Sequence, residues 1–243
     1  MDRTNSVVWA VLRQELDRAA RPLSIVDVGG GTGGFAVPLA RAGHRVTVVD
    51  ASPDALAALT RRVAEAVSSH DAGTVHSGGI TAVQGDVDTL GDVVEPGSAD
   101  LVLCHSVLEV VDDPATAVKA IAAALRPGGA ASVVVANRAA AVLARAVNGH
   151  LDAAYALLAS PTGSTGSTDR LRRRFDAASA SALLASASLA VEQIHGVRVI
   201  ADLVPGVTLD SDHEQVRAIE TLAATLPPYR DVATQLHLLA RLP

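Results

Sequence analysis

Several things are scarce in this sequence of 243 residues. It has one cysteine, Cys104. A single thiol excludes a disulfide framework and any thiolate metal cluster within one chain. Aromatic residues are 2% of the total, so few side chains are available to stack on an extruded base. Lys119 is the only lysine, so almost all the basic charge is arginine. No stretch reaches the ~18 uncharged apolar residues of a membrane span. The longest uncharged stretch in an apolar region, 177–191, is short and studded with serine. The opening MDRTNSVVWA lacks the basic-then-apolar order of a signal peptide, so the expected compartment is the cytosol. His70, His76 and His150 lie in expected loops without metal-ligand spacing, so no metal is expected. Apolar residues nevertheless make up 49% and charged residues 19%, a composition that builds a large core. The length suits one elaborated α/β domain over 1–243.

The pattern along the chain alternates. Val8, Leu12 and Leu16 recur at helical spacing within 6–20, and Pro22 ends that helix. Short apolar runs at 24–28, 45–49, 81–84, 101–104 and 130–136 read as buried strands. Between them, helices are expected at 35–41, from Pro53 to about 67 with Ser52 as cap, and at 113–125 with Asp113 as cap and Pro114 in the first turn. Residues 71–79 read as loop. Strands alternating with helices argue for a parallel sheet covered on both faces. Beyond Asn137 a helix over 139–158, a flexible loop at 160–168, and a helix over 175–189 capped by Asp176 are expected. A strand over 191–200, a helix over 211–226 with a Ser211/Glu214 capping box, and a final strand over 235–241 follow. Residues 138–175 read as an insertion after the fifth strand, where it would cover the ligand crevice.

The strongest signal is the run Ile25-Val26-Asp27-Val28-Gly29-Gly30-Gly31-Thr32-Gly33-Gly34 between the first strand and its helix. Glycines there let the backbone turn sharply and approach a ligand, and the free N–H groups of the helix start face that ligand. A tight turn with no ligand, a dinucleotide site and an S-adenosylmethionine (SAM) site all compete for this run. Gly29, Gly31 and Gly34 satisfy the dinucleotide spacing, a weak motif by itself. Three features favour SAM. Asp27 would meet a cationic amino-acid group and repel a pyrophosphate. Asp86, in Gln84-Gly85-Asp86-Val87, is placed to accept from an adenine amino group. The fourth strand runs into His105-Ser106-Val107-Leu108-Glu109, and the next helix ends in Leu125-Arg126-Pro127-Gly128-Gly129. Asp50, ending the second strand, suits the two hydroxyls of a ribose.

On these residues the chain resembles the class I SAM-dependent methyltransferases. The resemblance implies a Rossmann-like α/β fold with seven strands in the order 3-2-1-4-5-7-6, the last antiparallel, and SAM as cofactor with S-adenosylhomocysteine as product. It implies that Gly29, Gly30 and Gly31, with Gly33, approach the methionine part of SAM. It places Asp50 and Ala51 at the ribose, Asp86 and Val87 at the adenine, and His105 toward the sulfonium side. A polar residue at the sheet's edge is the other reading of His105. Cys104 points to the opposite face and reads as core.

The chain is further similar to the bacterial tRNA carboxymethoxyuridine methyltransferases. The matching pieces include Arg13-Gln14-Glu15-Leu16-Asp17-Arg18, Gly43-His44-Arg45-Val46, the run from His105 to Val111, Gly196-Val197-Arg198-Val199, Asp202-Leu203, Pro228-Tyr229 and Leu236-His237. That resemblance implies tRNA as partner, with the carboxylate of a modified wobble uridine as acceptor. A small-molecule O- or C-methyl acceptor is the alternative. No catalytic base is evident, and a carboxylate needs none; proximity and orientation are the enzyme's main task. Arg198 suits a bidentate carboxylate clamp, or else a structural pair with Asp202. Asn137, Arg172 and Arg173 are the other expected acceptor-side residues. The cluster Arg170, Arg172, Arg173 and Arg174 suits tRNA phosphates, or else an ordinary solvated loop. Arg3 is the residue whose part in SAM binding stays open. Nothing in the sequence fixes an oligomeric state.

Overall fold

The computed structural model describes residues 6–68, 79–167, 169–204, 206 and 211–243. Arg3, His70, His76 and most of the expected loop at 71–79 lie outside the described residues. Seven strands form one sheet: β1 Ser24–Val28, β2 Arg45–Asp50, β3 Ile80–Gln84, β4 Ala99–His105, β5 Leu125–Ala136, β6 Ala190–Val197 and β7 Gln235–Arg241. Their order is β3-β2-β1-β4-β5-β7-β6. β1 to β5 pair in parallel, and β7 runs antiparallel to both β5 and β6. The order reverses between β1 and β4, and the loops after these two strands part in opposite directions. A crevice therefore opens at their C-terminal ends.

The helices are α1 Ser6–Ala19, α2 Ala36–Arg41, α3 Pro53–Ser68, α4 Leu90–Val93, α5 Pro114–Ala124, α6 Arg138–Val147, α7 Leu151–Ala159, α8 Ala177–Ala185 and α9 His213–Ala223. Strands buried on both faces need two hydrophobic layers. One layer sets Val8 and Leu12 of α1, Val37 of α2 and Leu59 of α3 against Ile25, Val48 and Leu103. The other sets Leu90, Val118, Ile121 and Leu184 against Val26, Val102 and Cys104. Cys104 is fully buried there, as its position on the strand demands.

Several boundaries differ from the sequence reading, and the fifth strand begins at Leu125 rather than Ala130. The helix expected over 139–158 is two helices, broken at Asn148 to His150 where Gly149 takes φ +79°. The helix expected from Phe175 begins at Ala177, because Phe175 bridges to Asn137 instead. Asp176 does cap it, accepting from the Ser179 N–H at 2.7 Å. The strand expected to reach Ile200 stops at Val197, since Arg198 takes the left-handed φ of +60°. No Ser211/Glu214 capping box forms: α9 starts at His213, and the Ser211 hydroxyl donates to Asp212 at 2.6 Å.

The segment 138–174 leaves and rejoins the sheet at one point. The Arg138 N–H donates to the Phe175 carbonyl at 2.8 Å, and the Phe175 N–H to the Ala136 carbonyl at 3.0 Å.

Candidate cofactor crevice and acceptor edge

The residues expected to hold a cofactor converge on the C-terminal ends of β3, β2, β1 and β4. Gly29 and Gly31 take φ +66° and +55°, conformations that only glycine adopts without strain. The Gly29 N–H donates to the Val49 carbonyl at 2.7 Å, which turns the loop over β2. Gly30 is required for a different reason. A Cβ there would stand 2.6 Å from Asp27 Oδ2, so the carboxyl is tucked directly beneath the loop.

Asp27 is buried, and its Oδ2 has no hydrogen-bond partner. Burial, reinforced by the nearby Asp50 charge, pushes its pKa up to about 7. A buried carboxyl without a partner is a costly arrangement unless a ligand completes it. A cationic amino group meets that need, whereas a pyrophosphate would add to the repulsion. Asp50 accepts from the Gly31 N–H through Oδ2 and from the Ser52 N–H through Oδ1, both at 2.8 Å. Ala51 is exposed beside it. Asp86 caps the short 3-10 turn Val87–Thr89 by accepting from the Val87 N–H at 2.6 Å, and the Val87 side chain is buried. One Asp86 oxygen is thus committed to the turn, and the residue is otherwise exposed at the crevice edge.

His105 ends β4. Its Nε2 is 2.9 Å from Ser132 Oγ, its ring meets the Phe35 ring edge-on at 4.6 Å, and its Nδ1 is buried without a partner. Burial pushes its pKa down to about 3, so the ring is neutral. Among the described residues, the buried side-chain atoms without a partner are Asp27 Oδ2, His105 Nδ1 and Glu109 Oε2. All three belong to the ends of β1 and β4 or the loop after β4.

These features fit the methionine, ribose and adenine parts of SAM. A family profile described as a methyltransferase domain matches residues 26–133. The chain is 30% identical over 241 residues to the tRNA 5-carboxymethoxyuridine methyltransferase of Escherichia coli (strain K12), covering 96% of this chain and 87% of that protein. The chain belongs to the class I SAM-dependent methyltransferases. It is also 32% identical over 175 residues to the ubiquinone biosynthesis O-methyltransferase of Xanthomonas euvesicatoria pv. vesicatoria (strain 85-10), covering 71% of this chain and 65% of that one. Among solved structures, magnesium protoporphyrin IX methyltransferase from Synechocystis PCC 6803 with bound S-adenosylhomocysteine shares the fold. Its TM-score is 0.65 at 15% identity, over 99% of this chain and 84% of that chain. This methyltransferase uses SAM.

The residues expected on the acceptor side are largely bonded within the protein. The Asn137 amide is spent inside the protein: its N–H groups go to the Asp231 and Ala233 carbonyls at 2.9 and 2.7 Å, and its oxygen caps α6 through the Ala139 N–H at 3.0 Å. Arg173 donates to the carbonyls of Leu108, Val111 and Asp112 at 2.9, 2.6 and 2.9 Å. Arg174 forms a two-pronged pair with Asp169 at 2.7 and 3.0 Å, with both side chains buried. Arg172 pairs with Asp112 on the surface. Of the four, Arg173 and Arg174 therefore brace the chain, Arg172 is paired at the surface, and Arg170 is exposed. Only Asp169, five residues before Arg174, was a local signal; Asp112 lies 60 residues from Arg172.

Arg198 stands at the end of β6 and donates Nε–H to Asp202 Oδ1 at 3.0 Å, with NH2 on the same oxygen. The structural pair therefore forms, yet the side chain keeps 37% exposure and has further N–H groups. Gln235 and Ser106 were missed by the sequence reading. Gln235 Nε2 donates to Ser106 Oγ at 3.1 Å across the β4 and β7 ends, and Ser106 takes φ +58°. Strained residues of this kind gather at functional sites. Glu109 is a buried brace. Its Oε1 accepts from the Ala136 N–H at 2.6 Å, and its carbonyl accepts from the Arg172 N–H at 3.0 Å. Among the described residues no group of three or more side chains could hold a metal, and no helix is long and apolar enough to cross a membrane.

Proposed function

We propose that this methyltransferase esterifies the carboxylate of carboxymethoxyuridine at the wobble position of tRNA. The similarity to the Escherichia coli tRNA enzyme carries the reading, because it runs over 96% of the chain. It therefore extends through α6 to β7, where the acceptor side is built, and not only through the cofactor half.

The chemistry suits the residues present. When bound, SAM supplies a methyl group already activated by its positive sulfur. A carboxylate acceptor is anionic at neutral pH, so the chain need not remove a proton from it. The chain's work is to bind, orient and exclude water. Arg198, fixed in direction by Asp202 but half-exposed, is the carboxylate anchor. Ser106 and Gln235 line the way between that anchor and His105. Residues 138–175 act as a lid over the acceptor, and Arg170 meets a backbone phosphate. The whole chain, 1–243, acts as one catalytic domain in the cytosol.

A metabolite O-methyltransferase is the second reading. The observation that favours it is the apolar face of the α6–α7 hairpin, where Leu143, Val147, Leu151, Tyr155 and Leu158 are exposed. An apolar acceptor would suit such a face.

The deciding experiment offers purified protein and methyl-radioactive SAM to bulk tRNA and, separately, to a small-molecule extract. Label in tRNA that mild alkali releases as methanol supports the ester. Label only in the small-molecule fraction overturns the tRNA assignment. In the Arg198→Ala variant, SAM binding should persist while KM for the anionic acceptor rises about tenfold, the loss of one charge-assisted hydrogen bond. Unchanged turnover removes Arg198 from the reading.

A further inference from the structure

A line of polar side chains crosses the α1 face of the sheet beneath the cofactor crevice. It starts at His105 on β4. Ser132 Oγ on β5 lies 2.9 Å from His105 Nε2 and 2.9 Å from His237 Nε2 on β7. His237 Nδ1 lies 3.4 Å from His195 Nδ1 on β6, and those two rings stack. The strand register explains the line. His105 pairs with Val134, Val134 with His237, and His237 with His195, so all three histidines sit at one level. Ser132 is two residues before Val134 on the same face. Ser132 and His237 are fully buried, and His195 nearly so. Every nitrogen along the interior of this line has a partner, whereas His105 Nδ1, at the crevice end, has none.

Such a line has two polarities. A hydroxyl between two imidazole nitrogens donates to one and accepts from the other, so one tautomer fixes the next. If His195 donates, His237 receives at Nδ1 and donates from Nε2 to Ser132. Ser132 then donates to His105 Nε2, and the proton of His105 stands on Nδ1. The reverse polarity leaves Nδ1 bare. The charges at the two ends select between them. Arg230, itself paired with Asp231 at 2.8 Å and packed with its backbone over Gly196 of β6, is the cation that acts on His195. Asp27 is a diagonal neighbour of His105 on the same face, since it pairs with Leu103 of β4. Hydrogen-bond dipoles point their N–H ends away from a cation and toward a carboxyl. Both ends therefore favour donors running from His195 to His105.

We propose that Ser132, His237 and His195 are positioning residues that hold His105 as the Nδ1–H tautomer, and that this N–H is a donor to a carboxylate in the crevice. A neutral donor suits this place. An imidazolium would repel the sulfonium it stands near, whereas a neutral N–H binds an anion without adding charge. With Asp27 serving an ammonium, the pair would recognise an α-amino acid group from its two ends. The carboxylate has two sources, the amino-acid part of SAM or the acceptor. Only the second rests on the proposed tRNA reading.

The test is calorimetry with SAM and with decarboxylated SAM, on wild-type protein and on Ser132→Ala and His237→Asn. If the cofactor is the source, the wild type prefers SAM by about tenfold and both variants lose that preference, while decarboxylated SAM binds them all alike. If the acceptor is the source, cofactor binding is unchanged and KM for the carboxylate acceptor rises about tenfold in both variants. Cofactor preference and acceptor KM both unchanged would overturn the proposal. Nitrogen-15 NMR of the imidazoles in the wild type, with and without S-adenosylhomocysteine, decides the case even where a variant fails to fold. The expected signature is His105 protonated at Nδ1, and protonation at Nε2 overturns it. Neither calorimetry with the cofactor nor NMR needs tRNA, so failure of the tRNA reading is told apart from failure of this one.

Discussion

Gly31 and Asp50 are joined by an N–H to Oδ2 hydrogen bond of 2.8 Å. The acidic residue at the end of β2 thus shapes the glycine loop after β1. Its other oxygen holds the Ser52 N–H at the start of α3. The carboxylate pins together the loops after β1 and β2.

Asp50→Asn tests this double duty. An amide has one acceptor oxygen where the carboxylate has two, so one of the two loops is released. Affinity for S-adenosylhomocysteine should fall by about tenfold or more, with a small drop in Tm. Calorimetry beside a thermal melt reads both. Unchanged affinity would mean that the loop is held by its glycine turns alone.

Asp27 should make cofactor binding depend on pH. Its pKa stands raised at about 7 in the free protein. An ammonium beside it favours the charged form, so binding releases a proton below that value. Affinity should rise as pH increases from 5.5 to about 7 and level off above it. Folding shows the opposite trend. A raised carboxyl pKa contributes stability below its unfolded value near 3.8, and that contribution is lost as pH rises through about 7. In Asp27→Asn both dependences should flatten. A binding curve that keeps its slope in the variant would assign the titration to another group.

Gly33 and Gly34 make a matched pair. A Cβ at Gly33 would stand 2.4 Å from Leu59 Cδ1 with φ at +80°, whereas at Gly34 it meets nothing within 4 Å. Gly33→Ala should cost about 1–3 kcal/mol of stability, and Gly34→Ala should cost little. Urea titration of the two variants compares them directly. Equal stability of the two would mean that Leu59 moves aside freely.

Arg174 and Asp169 test the brace in the 160–174 loop. Their side chains are 8% and 5% exposed. Arg174→Ala removes the cation from a buried carboxylate that keeps the Thr165 and Leu171 donors, and should cost about 2 kcal/mol. The Arg174 guanidinium holds the Asp169 carboxyl well below the usual range. That stability is present above the unfolded carboxyl value and is lost as pH falls through the depressed one. Acid unfolding of the wild type should therefore flatten in the variant. A variant melting like the wild type would make the pair dispensable.

The sheet order and cofactor half were legible because each residue there carries its own local reason. Gly29 and Gly31 stand where the loop needs positive φ, Asp27 and Asp50 close strands, and Pro114 opens a helix behind its cap Asp113. The acceptor half was not legible in the same way. Arg173 and Asn137 look alike in sequence whether their donors are free or spent. Their partners, such as the carbonyls of Leu108 and Asp231, lie 65 and 94 residues away. A backbone carbonyl has no letter in the sequence. Ser106 was passed over because a serine with φ +58° reads like any other serine. The histidine line was hidden by register, since His105, His195 and His237 meet only when β4, β5, β7 and β6 stand side by side.

The segment between Asn137 and Phe175 leaves the sheet and returns to it at adjoining positions. Such a loop can lengthen, shorten or be exchanged while the seven strands keep their register, because its two ends already meet. Replacing 138–174 by a segment of another length should leave the loops after β1 and β2 and the pairing of β5 with β7 as they are.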